Sequence, residues 1–308
     1  MSPGGILIFF VTLILVLIMG LLVGRHAGAP PPAARGGSEK ASSGGGKPEC
    51  YRPELMKEIL ASVRRGRGYA PPSEEEHQAY CGEAKRLAGK YKVAVPVRAL
   101  ESVHSQERSL RARNRTSAAP SGRKNAGWGP ALQADRRQGL SVVEIAAKND
   151  LPPMFVLKAL GHKGGVRAEE AHEAALADAG SALHQRKTRE RADGYETVVG
   201  EDLARLGAPH QTEEDLRAAG APITPDFLLS GPIEICGRRV SWLDAKNYLY
   251  YGNRLTLPGL KKQAQKYTAA FGPGAMVFAG GVACKAPPLG ALLLGPDWAN
   301  KNGSPARG

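Results

Sequence analysis

Asp244 and Lys246 stand two residues apart, with a further acid, Asp226, eighteen residues before Asp244. Side chains alternate along a strand, so Asp244 and Lys246 share one face while Leu243 and Ala245 take the other. With Asp226 at the end of the adjacent strand, two carboxylates converge on a volume suited to a hard divalent cation with oxygen ligands, Mg2+ or Mn2+. Such a cation polarises a phosphoryl oxygen and lowers the pKa of a bound water, while Lys246 orients that water or neutralises charge in the transition state. The expected chemistry is phosphodiester cleavage. Glu196 is expected to add a third carboxylate, as metal ligand and catalytic group. Gln263 and Tyr267, four apart on one helical face, are expected to meet the substrate. A Pro-Asp followed by Asp-x-Lys also describes a surface carboxylate and an unrelated salt bridge, and it is the flanking elements that favour the site.

Those elements must come from residues 194–295. Glu196, Val198, Val199, Leu203 and Leu206 sketch a helix stopped by Gly207, and residues 213–217 an acidic turn before Gly220. The period then switches to two. Residues 227–229 form a short apolar run, and Ile233, Ile235, Val240 and Trp242 alternate around Gly237 as a hairpin does. Helical spacing returns over 257–270, and the run 275–279 after Gly272-Pro273-Gly274 reads as a buried strand. The predicted core is α/β, in the order α-β-β-β-α-β, with residues 291–294 as a further short strand candidate.

Upstream, composition divides the chain. Residues 1–24 hold an unbroken apolar run, 6–23, long enough to cross about 30 Å of hydrocarbon. It reads either as a transmembrane anchor, with the C-terminal part cytosolic because Arg25 and His26 follow it, or as a leader removed near Ala27-Gly28-Ala29. The membrane is a partner if this segment is retained. Residues 25–48, rich in Pro, Gly, Ser and Ala, read as a disordered linker. Residues 49–193 read as a helical, basic, nucleic-acid-binding region. Within it, 101–137 carries eight basic residues, Arg123 and Lys124 among them, against three acids. That stretch is either a solvated, partly mobile connector or a set of phosphate contacts, with Arg123 and Lys124 binding substrate. Residues 139–162 set a Ser141-capped helix, a break at Asp150-Leu151-Pro152-Pro153 and a second apolar stripe in helix-turn-helix spacing. This pattern serves nucleic-acid readers and ordinary core packing alike. Residues 296–308 form a polar tail.

At 308 residues the chain has room for one or two domains, which excludes a miniature disulfide-built scaffold. Lys+Arg 42 against Asp+Glu 29 gives a formal net charge of +13, which suits a polyanionic partner, DNA first and an anionic lipid surface next. Cys50, Cys81, Cys236 and Cys284 are widely spread, with no zinc-finger spacing, and read as free thiols without a structural metal.

Four strings occur in order: Glu213-x-x-Leu216-Arg217-x-x-Gly220, Thr224-Pro225-Asp226-Phe227, Val240-x-Trp242-Leu243-Asp244-Ala245-Lys246 and Phe271-Gly272-Pro273-Gly274. Together they resemble the codanin-interacting nuclease family with its Thr-Pro-Asp motif, within the PD-(D/E)xK phosphodiesterases. The resemblance covers about residues 194–283, with a weaker match over 139–162. It implies a restriction-endonuclease-like core behind a helical N-terminal region, action on DNA and a codanin-like protein partner. It also implies Asp226 and Asp244 as metal ligands, Lys246 as the catalytic lysine, Glu196 as the upstream acid, and Gln263 and Tyr267 as a Gln-x-x-x-Tyr helix. Where the family has Phe-Gly-Asp after its lysine, this chain has Asn247-Tyr248-Leu249. The competing reading is a nuclease-like fold kept as a non-catalytic binding or scaffold module, since a fold does not guarantee its activity.

Overall fold

The computed structural model describes residues 49–63, 68–117, 127–161 and 165–300. The apolar run 6–23, the linker 25–48, Arg123 and Lys124 lie outside the described residues. Among those described, no helix is long and apolar enough to cross a membrane.

Three helices open the described chain: α1 (Pro53–Val63), α2 (Glu74–Tyr91) and α3 (Val97–Ser117). Ser73 and Glu76 cap α2 reciprocally, each side chain accepting the other's backbone N–H. Leu55 and Ile59 of α1, Leu87 of α2, and Leu100 and Val103 of α3 bury their apolar stripes together. The stretch from residue 101 is therefore ordered helix as far as Ser117. Its arginines are tied inward: Arg108 donates to the Ala70 carbonyl at 2.7 Å and Arg115 to the Asn149 carbonyl at 2.7 Å.

Four short helices follow: α4 (Gly129–Arg137), α5 (Val142–Asn149), α6 (Pro153–Leu160) and α7 (Ala168–Leu176). The helix-turn-helix spacing is realised by α5 and α6. Ser141 and Glu144 form a capping box, and Asp150 ends α5 in the left-handed region at φ 51°. The apolar sides of the pair, with Leu132 and Ala174, form the core of this four-helix unit. Arg136 grips the buried Glu170 through two 2.7 Å hydrogen bonds, fixing α4 on α7.

The remainder is a mixed α/β layer structure. Helix α8 (Ala182–Arg205) runs unbroken through residues 193 and 194. Strand β1 (His210–Thr212), helix α9 (Glu213–Ala218), strands β2 (Phe227–Ile235) and β3 (Arg238–Lys246), helix α10 (Leu257–Phe271), and strands β4 (Ala275–Phe278) and β5 (Leu292–Leu294) follow it. The sheet order is β1-β2-β3-β4-β5, antiparallel from β1 to β3 and parallel from β3 to β5. The parallel β3–β4 pair needs a crossover, and α10 provides it.

The structure departs from the sequence pattern in two details. The runs 227–229 and 233–235 are one strand, β2, with a register shift between Leu228 and Ile233. Gly231-Pro232 lies in that interval, and proline cannot donate to a ladder, so the pattern looks broken where the strand continues. Before it, β1 adds a strand of three residues, too short for alternation to reveal. Secondly, the four cysteines are not all free thiols. Cys50 and Cys284 form a disulfide across a sequence separation of 234. Tyr51 pairs in parallel with Ala283, which brings the neighbouring cysteines together, and long-range closure of this kind leaves no trace in spacing. Cys81 and Cys236 lie outside that bond.

The sheet is packed on both faces. Val199 and Leu203 of α8 meet Leu243, Ala245, Val277 and Leu294 on one side. Leu260, Ala264 and Tyr267 of α10 meet Trp242, Met276 and Phe278 on the other. Trp242 is fully buried and donates its indole N–H to the Gly272 carbonyl at 2.9 Å. Its ring lies over Gly274, where a Cβ would sit 2.1 Å from ring atoms. Gly274→Ala is therefore expected to destabilise the fold by about 3 kcal/mol, the upper end of overpacking costs. Urea denaturation checks this, and a change under about 0.5 kcal/mol would contradict the packing described.

Candidate active site

β3 emerges between two helices, and its alternation decides what each helix sees. Trp242, Asp244 and Lys246 take the α10 side, while Leu243 and Ala245 take the α8 side. Phe227 pairs with Leu243 at the start of β2, so continuing the antiparallel register by one step sets Asp226 opposite Asp244. Residues so opposed carry their side chains on one face, with Cβ atoms about 5 Å apart. Asp226 Oδ2 accepts the Ala245 N–H at 2.7 Å, which anchors the carboxylate at the strand end.

Asp244 is fully buried. Its Oδ1 accepts from Gln263 Nε2 at 3.2 Å, and Lys246 Nζ lies against its Oδ2 as an ion pair. That Oδ2 accepts no hydrogen bond of ordinary geometry. Gln263 also donates to the Tyr267 hydroxyl at 3.1 Å, and Tyr267 donates to the Thr224 carbonyl at 3.1 Å. Thr224 Oγ1 in turn donates to Glu213 Oε1 at 3.2 Å, which also accepts from Arg217 Nη2 at 2.6 Å. The Glu213 N–H donates to the Asp226 carbonyl at 3.1 Å. The segment carrying Asp226 is thus held from α10 through Tyr267 and from α9 through Glu213.

The electrostatics follow from burial. Desolvation, then the Asp244 carboxylate, push Asp226 up to about 7, against the pull of Lys246 and the Ala245 N–H. Asp244 is also raised by burial, which outweighs the opposing effect of Lys246. Burial pulls the Lys246 ammonium down, but Asp244 and Asp226 more than offset this and hold it above its ordinary value. Glu196, half-buried on α8, is raised by desolvation and by the charge of Asp226.

Of the residues expected at the site, Asp226, Asp244, Lys246, Gln263 and Tyr267 come together. Glu196 feels the cluster without completing it: among the described residues no three His, Cys, Asp or Glu side chains gather as a metal-holding group. Thr224, Glu213 and Arg217 were visible only as letters of a motif, and their part is to brace the strand end. Asn247, directly after Lys246, accepts from Arg98 Nε at 2.8 Å and donates to the Arg191 carbonyl at 2.6 Å, tying α3 to α8.

Residues 165–286 match the family described as "Protein of unknown function TPD sequence-motif". The matched span includes Thr224-Pro225-Asp226 and Asp244-Ala245-Lys246. An uncharacterized protein of Acanthamoeba polyphaga mimivirus is 39% identical over 100 residues, covering 31% of this chain and 36% of that protein. The chain thus spans about a third of the length of the relative it matches. No solved structure matches it.

The donor set fits a hard cation. Mg2+ is commonly held by one or two carboxylates, with waters and substrate phosphate oxygens completing its shell, so two aspartates such as Asp226 and Asp244 would be enough protein ligands for it. Without a cation their ionisation costs stability. An acid whose pKa is raised by folding destabilises progressively as pH rises from the ordinary carboxylate range through the folded value, here about 7 for Asp226. Asp226→Asn keeps an oxygen for the Ala245 N–H and removes the charge. In EDTA it is expected to raise stability by about 1–2 kcal/mol at pH 8 and to leave it nearly unchanged at pH 4. Thermal melts at the two pH values check this, and equal effects at both would contradict the burial argument.

Proposed function

We propose that this chain is a divalent-metal-dependent phosphodiesterase acting on DNA, with a restriction-endonuclease-like core. The observation that carries the reading is the opposition of Asp226 and Asp244 on neighbouring strands, with Lys246 on the same face as Asp244 and paired to it. The basic balance of the chain supports a nucleic-acid substrate.

Asp226 and Asp244 would hold the ion. When bound, it supplies Lewis acidity toward a phosphoryl oxygen and lowers the pKa of a bound water. The remaining work falls to the protein. Lys246, whose proton is held tightly, acts as a cationic donor to the phosphoryl group rather than as a base. Gln263 fixes the Asp244 carboxylate through Oδ1, leaving Oδ2 to face the lysine. Tyr267 fixes the glutamine amide.

Asp244→Asn and Lys246→Ala are expected to lower cleavage by at least about 10²–10³-fold, and EDTA to abolish it. Plasmid nicking and labelled-oligonucleotide assays with Mg2+ or Mn2+ measure this. An Asp244→Asn protein that cuts as wild type would reject the assignment. Metal binding without cutting of any DNA form would leave the scaffold module in its place.

Cation binding requires ionised carboxylates, so metal affinity and activity should climb as pH rises toward and past about 7, then level. Because protons and metal compete for the same oxygens, raising Mg2+ should move the acidic limb of the pH–rate profile to lower pH. A limb indifferent to Mg2+ concentration would assign it to another group.

A further inference from the structure

The segment that leaves the site after Lys246 is laid along α3. Arg98 Nε donates to the Asn247 carbonyl, Ser102 Oγ accepts from the Leu249 N–H at 2.9 Å, and Gln106 Nε2 donates to the Leu249 carbonyl at 3.0 Å. Further along, Tyr251 donates to Glu107 at 3.0 Å and Asn253 to Gln106. Helix and segment therefore form one braced strut that starts beside the carboxylates. At its far end the two line an open cavity of ≈ 650 Å³ bordered by Glu107, Leu110, Arg111, Asn114, Arg115 and Arg254. Three guanidinium groups and the Glu107 carboxylate line it, with Asp150 beside two of the arginines.

Two of these arginines are held in place by the protein. Arg111 donates to the Gly68 carbonyl and stacks over the Tyr69 ring, 4.8 Å from its centroid. Arg115 donates to the Asn149 carbonyl, and both lie 3.3–3.8 Å from the half-exposed Asp150. An exposed ion pair of this kind contributes little, so a phosphate can replace Asp150 at small cost. Each guanidinium carries five donors in a fixed fork that matches phosphate oxygens. Arg254 is exposed on the opposite border.

The strut also sets a distance. From Arg98, beside the site, to Arg111 and Arg115 the helix rises about 20–25 Å at ~1.5 Å per residue. Along a DNA strand, at ~3.4 Å per phosphate, that spans roughly six to eight nucleotides. We infer that the arginine-lined cavity is a distal phosphate-binding subsite for a polynucleotide whose scissile bond lies six to eight nucleotides away. This deepens the phosphodiesterase reading and rests on it: the substrate class is an extended polynucleotide, not a mononucleotide, dinucleotide or cyclic phosphodiester.

The test uses the full chain carrying Asp244→Asn, with and without Arg254→Glu, and labelled DNA duplexes of graded length from 6 to 20 base pairs followed by fluorescence anisotropy. Affinity should step up as the duplex passes about eight base pairs. Arg254→Glu should remove that step, weaken the longest duplex by about tenfold, and lower the salt slope by about one. Hydrolysis of bis(4-nitrophenyl) phosphate by the otherwise wild-type chain should be unchanged by Arg254→Glu. Length-independent affinity, or an Arg254→Glu chain that binds long duplex as before, overturns the inference. So does Arg254-dependent binding to phosphatidylserine vesicles with no length step on DNA. A chain that hydrolyses neither the small diester nor DNA, yet keeps the length step and its Arg254 dependence, refutes the phosphodiesterase reading and leaves the phosphate subsite standing.

Discussion

A buried carboxylate, Asp244, and a half-buried one, Asp226 at the entry to the neighbouring strand, need more positive charge than one ammonium brings. Lys246 neutralises Asp244 in part, yet Asp226 remains high and Asp244 stays above its ordinary range. A protein selected for stability alone would place apolar side chains at the end of such a sheet, because isolated buried charge costs several kcal/mol per ion. The divalent cation of the proposed function would answer this imbalance, since two further positive charges would reverse the sign of the local field.

That charge imbalance explains how much of the surrounding structure is bracing. Carboxylates that repel will rotate apart unless each is held by its other contacts. Asp226 is held by a backbone N–H of the neighbouring strand, Asp244 by the α10 glutamine, and the glutamine by a tyrosine hydroxyl that spends its own proton on the Thr224 carbonyl. Thr224 then leans on Glu213, whose charge is balanced by Arg217. The Thr-Pro-Asp string thus reads as threonine for the tie to α9, proline to enter the strand, and aspartate to take the Ala245 N–H of the neighbouring strand. Gly274 belongs to the same logic one layer down, because the Trp242 ring beneath α10 occupies the place where any side chain would stand.

How much of this the sequence discloses depends on the range of each interaction. Alternation around Asp244 and helical spacing around Gln263 are local, and both are realised. The pairing of Asp226 with Asp244 depends on register across a hairpin, and a guess that Asp226 ends the adjacent strand is enough to find it. The Gly231-Pro232 irregularity made one strand look like two, and β1 has too few residues to show a period. The Cys50–Cys284 bond, the Glu213 brace and the inward ties of the α3 arginines all join residues tens to hundreds apart, and composition sees in them only dispersed thiols and a basic run. Glu196 shows the limit in the other direction, since placement on the preceding helix brings its charge within the field of Asp226 without making it a member of a ligand group.

The helical region is fixed to the sheet by the same residues that follow Lys246. Arg98, Ser102 and Gln106 recur at helical spacing on α3 and take the backbone and side-chain groups of Asn247, Leu249 and Asn253 in turn. On the next loop, Tyr51 extends the chain in parallel beside Ala283, and the disulfide closes next to it. Two independent attachments at neighbouring loops resist rotation as well as separation, so α3 keeps one bearing relative to the carboxylates. On the proposal made above, that bearing would fix the spacing between the carboxylates and the guanidinium groups at the far end of α3, and the positive excess of the chain would favour an anionic ligand there.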